Sequence, residues 1–310
     1  MLSALTEPSF PASALGIEKE RITALALQKE GRGRFGIKQA ASIELPEGLI
    51  EPSFTSRNIS NTAEFRVLLE EAIETSGLAD KKRWSVSLAS GTARSAILTL
   101  DSGSPSGKEL EDILDWKAEQ SFGAPASQLR ISRYKIEPDA DGRSRYFASA
   151  VALAVLDEYE TIFESYGWKT GLILPRSVGE ANWLIGNATQ ADSLLISSQH
   201  DGFVALLLRN GIPAVVRSVT CTISEREDEI YRLLMFYNDR YSNEGVSLLE
   251  NILLVGADLA PSRIREISNE SLGKTLQILK PEDIGLNVPV GSLNFNDLAG
   301  PAGLAALAWQ

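Results

Sequence analysis

Residues 193–219, SLLISSQHDGFVALLLRNGIPAVVRSV, predict three short β-strands joined by tight turns. The runs 193–197 and 203–209 have the apolar content of buried strands. Asn210 and Gly211 follow the second run, and this dipeptide is the strongest short-range signal for a two-residue hairpin turn. The residues after it supply a returning strand. The segment therefore predicts an antiparallel meander of three strands.

A similar meander followed by a helix is predicted near the start of the chain. Three strands are expected within residues 14–44, and a helix is expected over 62–77. The same order of elements recurs over residues 193–241. This repetition predicts an α/β fold with two lobes of similar build.

The 310 residues have the composition of an ordinary globular protein, with 44% apolar and 23% charged residues. The formal net charge of −11 argues against a general affinity for nucleic acid or for anionic lipid. A basic peptide is the more natural partner for such a chain.

Cysteine and histidine are too scarce for several kinds of chemistry. Cys221 is the only cysteine, which excludes an intramolecular disulfide and argues against a structural zinc site. His200 is the only histidine, which excludes most histidine-dependent catalytic triads. No run approaches the roughly 18 apolar residues of a membrane span, and the N-terminus lacks the features of a secretory signal. The sequence therefore predicts a cytoplasmic protein without direct membrane insertion, which reaches a membrane through a partner.

Residues 193–219 resemble the second phosphate-binding loop of the actin-like ATPase superfamily. In that pattern an apolar strand is followed by Asp, any residue, Gly, a small residue, Gly and two Thr. Counted back from the Asn–Gly turn, the Asp position holds Ser197 and the glycine positions hold Gln199 and Asp201. A phosphate site needs glycines for close backbone approach and an acid for the metal or its water. Only Gly202 remains near the pattern, and the Asp201 carboxylate would repel a phosphate.

The other two nucleotide-contact segments of the superfamily are also altered. The first phosphate loop has Glu18 in place of Asp and lacks its Gly-Ser turn, and the adenosine turn keeps only Gly256 where three glycines are usual. The resemblance thus implies a degenerate nucleotide site at Glu18, Ser197, Gly202 and Gly256, with no catalytic residue, no metal site and no required cofactor. The alternative is an active ATPase that binds ATP and Mg²⁺ through Glu18, Gly202 and Gly256.

The middle of the chain resembles one branch of this superfamily, the type IV pilus assembly proteins of the PilM kind. In both, a helix ends in a segment like WKAEQ at 116–120, a proline such as Pro125 follows, and two strands form an excursion over 130–155. A turn like Gly167-Trp-Lys then leads to a strand. The GspL cytoplasmic domain and FtsA share this architecture. The order and spacing of these features carry the resemblance.

The resemblance implies an α/β, actin-like (ribonuclease H-like, duplicated) two-lobed fold with an inserted α+β subdomain. Residues 1–83 would form the first lobe, and the C-terminal helix 297–310 would pack back on it. Residues 84–170 would form the inserted subdomain, and residues 171–296 would form the second lobe.

The same resemblance implies a non-catalytic or weakly nucleotide-binding scaffold of a type IV pilus or related type II secretion platform. Such a scaffold lies in the cytoplasm at the inner membrane. It binds the cytosolic N-terminal peptide of a PilN-like single-pass protein, in a groove between the first lobe and the inserted subdomain. A polymerising FtsA-like cytoskeletal protein is a further alternative, and a homo-oligomer stays open.

Trp116, Glu119 and Phe122 are the residues expected to contact the partner peptide. Their helix, expected over 106–122, carries five acidic residues on the side that is expected to be exposed: Glu109, Glu111, Asp112, Asp115 and Glu119. Such a surface suits a peptide with Arg or Lys beside a few apolar anchors. The alternative is that Trp116 and Phe122 are core residues under the inserted sheet.

Overall fold

The structure is a computed structural model, and it describes residues 9–101, 107–186, 191–241, 248–289, 291 and 293–310. The chain divides into two compact units. Unit 1 consists of Met1–Ala93, Val151–Gly179 and Leu286–Gln310, and unit 2 consists of Arg94–Ala150 and Glu180–Gly285. The sequence-based division into two lobes and an insertion is finer than these two units and stays a prediction.

The strands, in chain order, are β1 (Ser13–Ile17), β2 (Arg21–Gly31), β3 (Arg34–Glu44), β4 (Arg83–Leu88), β5 (Ala93–Thr99), β6 (Leu129–Ile136), β7 (Arg145–Ala152), β8 (Lys169–Pro175), β9 (Asp192–Gln199), β10 (Gly202–Arg209), β11 (Ile212–Thr220), β12 (Leu249–Val255), β13 (Gln277–Ile278) and β14 (Leu286–Asn287). The α-helices are α1 (Thr62–Thr75), α2 (Lys108–Phe122), α3 (Leu153–Ser165), α4 (Arg176–Gly186), α5 (Arg226–Tyr241), α6 (Pro261–Leu272) and α7 (Phe295–Ala306).

Unit 1 is built around a six-stranded sheet with the order β14-β3-β2-β1-β4-β8. β1, β2 and β3 form an antiparallel meander, and β1 pairs in parallel with β4. All five residues of β1 are buried, and helix α7 packs against β1, β2 and β4. The meander expected within residues 14–44 is therefore confirmed.

β4 and β8 are parallel neighbours in this sheet, with Arg83 opposite Lys169 and Val86 opposite Ile173. The chain leaves the sheet after β4 and returns to it at β8. Most of the residues in between, Arg94–Ala150, belong to unit 2. The excursion thus begins and ends at adjacent strands of unit 1.

Helix α7 approaches its neighbours closely because glycines face them. A Cβ atom built on Gly303 would lie 1.8 Å from the carbonyl oxygen of Gly179 in α4. On the β1 side, a Cβ atom built on Gly16 would lie 3.0 Å from Cγ of Pro301 in α7. Since real side chains do not fit at such distances, position 303 can hold only glycine if α7 and α4 keep this spacing.

The second meander forms the centre of unit 2, in a five-stranded sheet with the order β11-β10-β9-β12-β13. β9, β10 and β11 are antiparallel, whereas β12 runs parallel to β9. Asn210 and Gly211 have φ values of 52° and 77°, and a type I′ hairpin turn requires positive φ at both positions. Side chains of α5 and α6, such as Ile230 and Ile264, pack with Phe203 in one buried cluster. The meander predicted for residues 193–219 is confirmed.

A three-stranded sheet with the order β5-β7-β6 lies almost entirely in unit 2. Only the first residue of β5 and the last two residues of β7 belong to unit 1. Leu114, Ala118 and Phe122 are the buried side chains of α2. Arg133 on β6 forms ion pairs with Glu111 and Asp115 on α2, which ties the helix to this sheet. The helix expected from residue 106 begins at Lys108, and residue 106 itself lies outside the described part of the chain.

Candidate functional site

Ser197, which replaces the acid of the phosphate loop, lies inside the sheet of unit 2. It is opposite Val204 of β10 and Val255 of β12, so it sits between two neighbouring strands. Its side chain is fully buried, and its Oγ atom has no hydrogen-bond partner in the part of the chain that the structure describes. Ser197 is therefore an interior residue of β9 and does not present its hydroxyl to solvent.

Gly202 and Gly256 are both fixed by close contacts within unit 2. Their φ values are 147° and 145°, in a region that favours glycine. A Cβ atom on Gly202 would lie 1.8 Å from the carbonyl oxygen of Val219, and one on Gly256 would lie 2.2 Å from Cβ of Ser198. Packing thus accounts for both glycines without a ligand.

Arg226, the first residue of α5, joins the turn between β9 and β10 to the turn after β12. The residue is 3% exposed, and its Nη2 atom donates to the carbonyl oxygen of Gln199 at 3.0 Å. Its Nη1 atom donates to Ser198 Oγ at 2.8 Å and also to the carboxylate of Asp258. Ser198 Oγ donates in turn to Asp258 Oδ1 at 2.6 Å. We call Ser198, Gln199, Arg226 and Asp258 the Arg226 network.

Local structure brings Arg226 to this position. The backbone N–H of Cys221 donates to the carbonyl oxygen of Asp201 at 3.0 Å, which holds the end of β11 beside the β9–β10 turn. A capping box between Thr222 and Glu225 then starts the helical segment. The hydrogen bonds from Thr222 hold the pKa of the Glu225 carboxyl below its usual value. Arg226 follows directly, so its side chain leaves the chain next to the two turns that it joins.

Sequence reasoning missed the Arg226 network. The sequence offers only two weak indications of this network. Ser198 and Gln199 lie near the positions where the phosphate loop has its acid and glycine, and an arginine begins the next helix. Neither signal indicates by itself that the two segments are in contact.

Glu18, the fourth residue of the expected nucleotide site, lies in unit 1 in the turn between β1 and β2. Its backbone N–H donates to the carbonyl oxygen of Arg21 at 3.0 Å, and its carboxylate lies 3.5 Å from Nη1 of Arg176. Ser197, Gly202 and Gly256 are grouped at one end of the sheet in unit 2. Within the described residues, no cluster of three or more His, Cys, Asp and Glu side chains has an arrangement that could hold a metal ion.

A second candidate surface lies on α2. Trp116 is 54% exposed, and Lys117 Nζ lies 5.4 Å from the centre of its ring, within the range of a cation–π contact. An open depression of about 500 Å³ beside it is lined by Lys108, Glu109, Asp112, Ile113 and Trp116. We call these five residues the α2 surface. It combines one large exposed aromatic side chain with two carboxylates.

The other two residues expected to contact the partner have different environments. Phe122 is 2% exposed and belongs to the buried side of α2. Glu119 Oε1 accepts a hydrogen bond from the backbone N–H of Ala126 at 2.8 Å, which holds the short 3₁₀ helix Ala126–Gln128 against the end of α2. Of the three residues, Trp116 alone is largely exposed, while Glu119 and Phe122 shape the structure beneath. Their contact with a partner stays a prediction.

Basic side chains offset part of the negative charge that the sequence places on α2. Arg133 forms ion pairs with both Glu111 and Asp115, so its single positive charge offsets one of their two negative charges. Lys117 donates to Asp101 at 2.9 Å, which holds the pKa of that carboxyl below its usual value. Glu109 and Asp112 are exposed, and neither forms an ion pair with another described residue. The α2 surface therefore offers two carboxylates without an ion-pair partner among the described residues, beside the ammonium group of Lys108, while Glu111 and Asp115 stay partly exposed.

Comparisons with known proteins identify the fold. No protein-family model matches the chain, and no curated protein matches it. The structure is similar to a PilM–PilN type IV pilus biogenesis complex, with a TM-score of 0.72, 16% identity, and coverage of 97% of this chain and 98% of the other. It is also similar to a Bacteroides thetaiotaomicron protein with an actin-like ATPase fold and unknown function, with a TM-score of 0.50, 14% identity and full coverage of both chains.

A third similar structure is the cytoplasmic domain of EpsL, an inner membrane component of the Vibrio cholerae type II secretion system, with a TM-score of 0.48, 12% identity, and coverage of 96% of this chain and 93% of the other. The two similarities with higher scores establish that the chain has the actin-like fold, as the sequence predicted. Among the described residues, no helix combines the length and the apolar content that a membrane span requires.

Proposed function

We propose that this protein is a cytoplasmic scaffold of a type IV pilus or related type II secretion platform. In this role it binds the cytosolic N-terminal peptide of a PilN-like single-pass membrane protein and does not hydrolyse nucleotide. The observation that carries the proposal is the similarity to the PilM–PilN complex, which extends over 97% of this chain with a TM-score of 0.72.

The geometry of unit 2 supports the non-catalytic part of the proposal. Actin-like ATPases hold phosphates with exposed backbone N–H groups and hold the metal through a carboxylate. Here the hydroxyl in the acid position, on Ser197, is buried, and Ser198 and Asp258 are tied to Arg226. The Asp201 carboxylate would also face a phosphate in the expected loop. These features favour a protein that keeps the fold and has lost nucleotide binding.

The α2 surface supports the partner-binding part. The α2 surface carries two carboxylates, on Glu109 and Asp112, against the one ammonium group of Lys108, and this net negative charge attracts a basic peptide. The exposed ring of Trp116 offers apolar area to an anchor residue. Charge complementarity of this kind chiefly raises the association rate, whereas buried aromatic anchors hold a complex together. The surface therefore suits a short peptide that carries Arg or Lys beside apolar residues.

Titration with a synthetic peptide tests this function. The peptide should copy the cytosolic leader of a PilN-like single-span membrane protein from the same organism, and a scrambled peptide of the same composition is the control. We expect a micromolar or lower Kd for the leader peptide. Its affinity should fall only a few-fold between about 0.1 and 0.5 M salt, since salt screens the charges but not the apolar anchor. Equal binding of the scrambled peptide, or no binding of the leader, would refute the function.

A further inference from the structure

The Arg226 network joins three segments of unit 2 that are distant in sequence. Arg226 and Ser198 are 28 residues apart, Arg226 and Asp258 are 32 apart, and Ser198 and Asp258 are 60 apart. The network connects the β9–β10 turn, the turn after β12 and the first turn of α5. The β9–β10 turn and the turn between β12 and α6 are the ones in which the sequence resemblance places the phosphate and adenosine contacts.

Burial of the guanidinium is favourable only because its partners are in place. A buried charge costs several kcal/mol of desolvation in proteins unless it is paired and hydrogen-bonded. Arg226 is 3% exposed, and it finds a carboxylate, a hydroxyl and a backbone carbonyl oxygen. A planar guanidinium with several donors suits such a set of acceptors better than an ammonium group does.

We infer that the Arg226 guanidinium is a built-in occupant of the former nucleotide cradle, holding its two turns and the start of α5 together as a bound ligand would. Unit 2 then keeps its folded arrangement without nucleotide or metal. This inference rests on the proposed function in assuming a cradle that has lost nucleotide binding. The inference adds that Arg226 is the residue that holds this cradle in its folded arrangement.

The inference predicts that an Arg226→Ala variant can be rescued by free guanidinium. The variant removes a buried side chain together with its hydrogen bonds to Ser198, to Asp258 and to the carbonyl oxygen of Gln199. Asp258 itself is 29% exposed, so the expected loss of about 10 °C in Tm comes from these hydrogen bonds and from the cavity left by Arg226. Guanidinium chloride at roughly 50 mM, far below denaturing concentrations, should then raise the Tm of the variant by about 2 °C or more. Sodium chloride at the same concentration should not. Arg226→Lys should lose stability but gain nothing from guanidinium, since the ammonium fills the site.

Arg209, at the end of β10, provides a matched control elsewhere in unit 2. Its Nε atom donates to Asp192 Oδ2 at 3.0 Å, and Asp192 is 2% exposed. The Arg209 side chain itself is 36% exposed, so Arg209→Ala opens the site to solvent and leaves no enclosed place for a small cation. Guanidinium should not raise the Tm of this variant. A loss of less than about 2 °C in Arg226→Ala, or equal effects of guanidinium on both Ala variants, would overturn the inference.

Asp258→Asn keeps the inference testable if Arg226→Ala does not fold. Amide hydrogen exchange in residues 199–202 and 256–260 should become about tenfold faster in this variant, since one strong tie between the turns is weakened. Exchange near Asp192 should not change. Unchanged exchange in both turns would overturn the inference. Neither experiment uses nucleotide or peptide, so either result leaves the peptide titration as an independent test of the proposed function.

Discussion

Gly303→Ala is expected to lower the free energy of unfolding by roughly 3 kcal/mol or more, at the upper end of the range for overpacked cores. The added Cβ would lie 1.8 Å from the carbonyl oxygen of Gly179. Both groups belong to helix backbones, so no change of side-chain rotamer can relieve the overlap. Pro301 already lies against Gly16 on the β1 side, which limits movement of α7 in that direction.

Urea-induced unfolding, followed by tryptophan fluorescence, measures this loss. Gly186→Ala is the matched control, because it makes the same substitution at the end of α4, where no described residue beyond the adjacent helix backbone lies within 4 Å of the added Cβ. The control should remain within about 1 kcal/mol of the parent. If Gly303→Ala is as stable as Gly186→Ala, the close packing of α7 against α4 is wrong.

Trp116→Ala is expected to weaken binding of the leader peptide by about 30-fold or more, which corresponds to roughly 2 kcal/mol. The Trp116 ring is the largest exposed apolar group of the α2 surface, and its removal leaves the peptide anchor without an aromatic contact. The substitution should hardly change Tm, since the side chain is 54% exposed in the free protein.

Tyr134→Ala is the control for this prediction. Tyr134 is also an aromatic residue of unit 2, is 73% exposed, and lies on β6 outside the α2 surface. Its loss should leave peptide affinity unchanged, and titration calorimetry with both variants measures the difference. Phe122→Ala is less informative because it removes a buried side chain and destabilises α2. A folded Trp116→Ala variant with parental affinity would exclude the α2 surface as the partner site.

Local signals explain why the two meanders could be predicted from sequence. The apolar runs on either side of Asn210 and Gly211 define two strands, and the turn between them fixes their antiparallel pairing. The amphipathic pattern of α2 likewise predicts that Leu110, Ile113, Leu114 and Ala118 face inward. Leu114 and Ala118 are buried, whereas Leu110 and Ile113 are only half-buried. Each of these predictions depends only on residues that are close in the chain.

The candidate sites depend on contacts between distant residues, and the sequence did not reveal them. The separation of Trp116 from Phe122 is the exception, because six positions along a helix place two side chains about 120° apart and the sequence alone indicates that they do not share one face. The pairing of Glu111 and Asp115 with Arg133 depends on the fold of β6 against α2. The Arg226 network likewise forms only once β9, β12 and α5 have come together.

A thermal-shift titration of the parent protein with ATP and Mg²⁺ tests the central claim most directly. A ligand that binds only the folded state stabilises it by about 2.7 kcal/mol at 100 times its Kd, which would raise Tm by roughly 5 °C or more. We expect no rise at millimolar ATP, since Ser197 is buried and Asp258 is tied to Arg226. A rise of several degrees that requires both ATP and Mg²⁺ would contradict the account of this protein as a scaffold that has lost nucleotide binding.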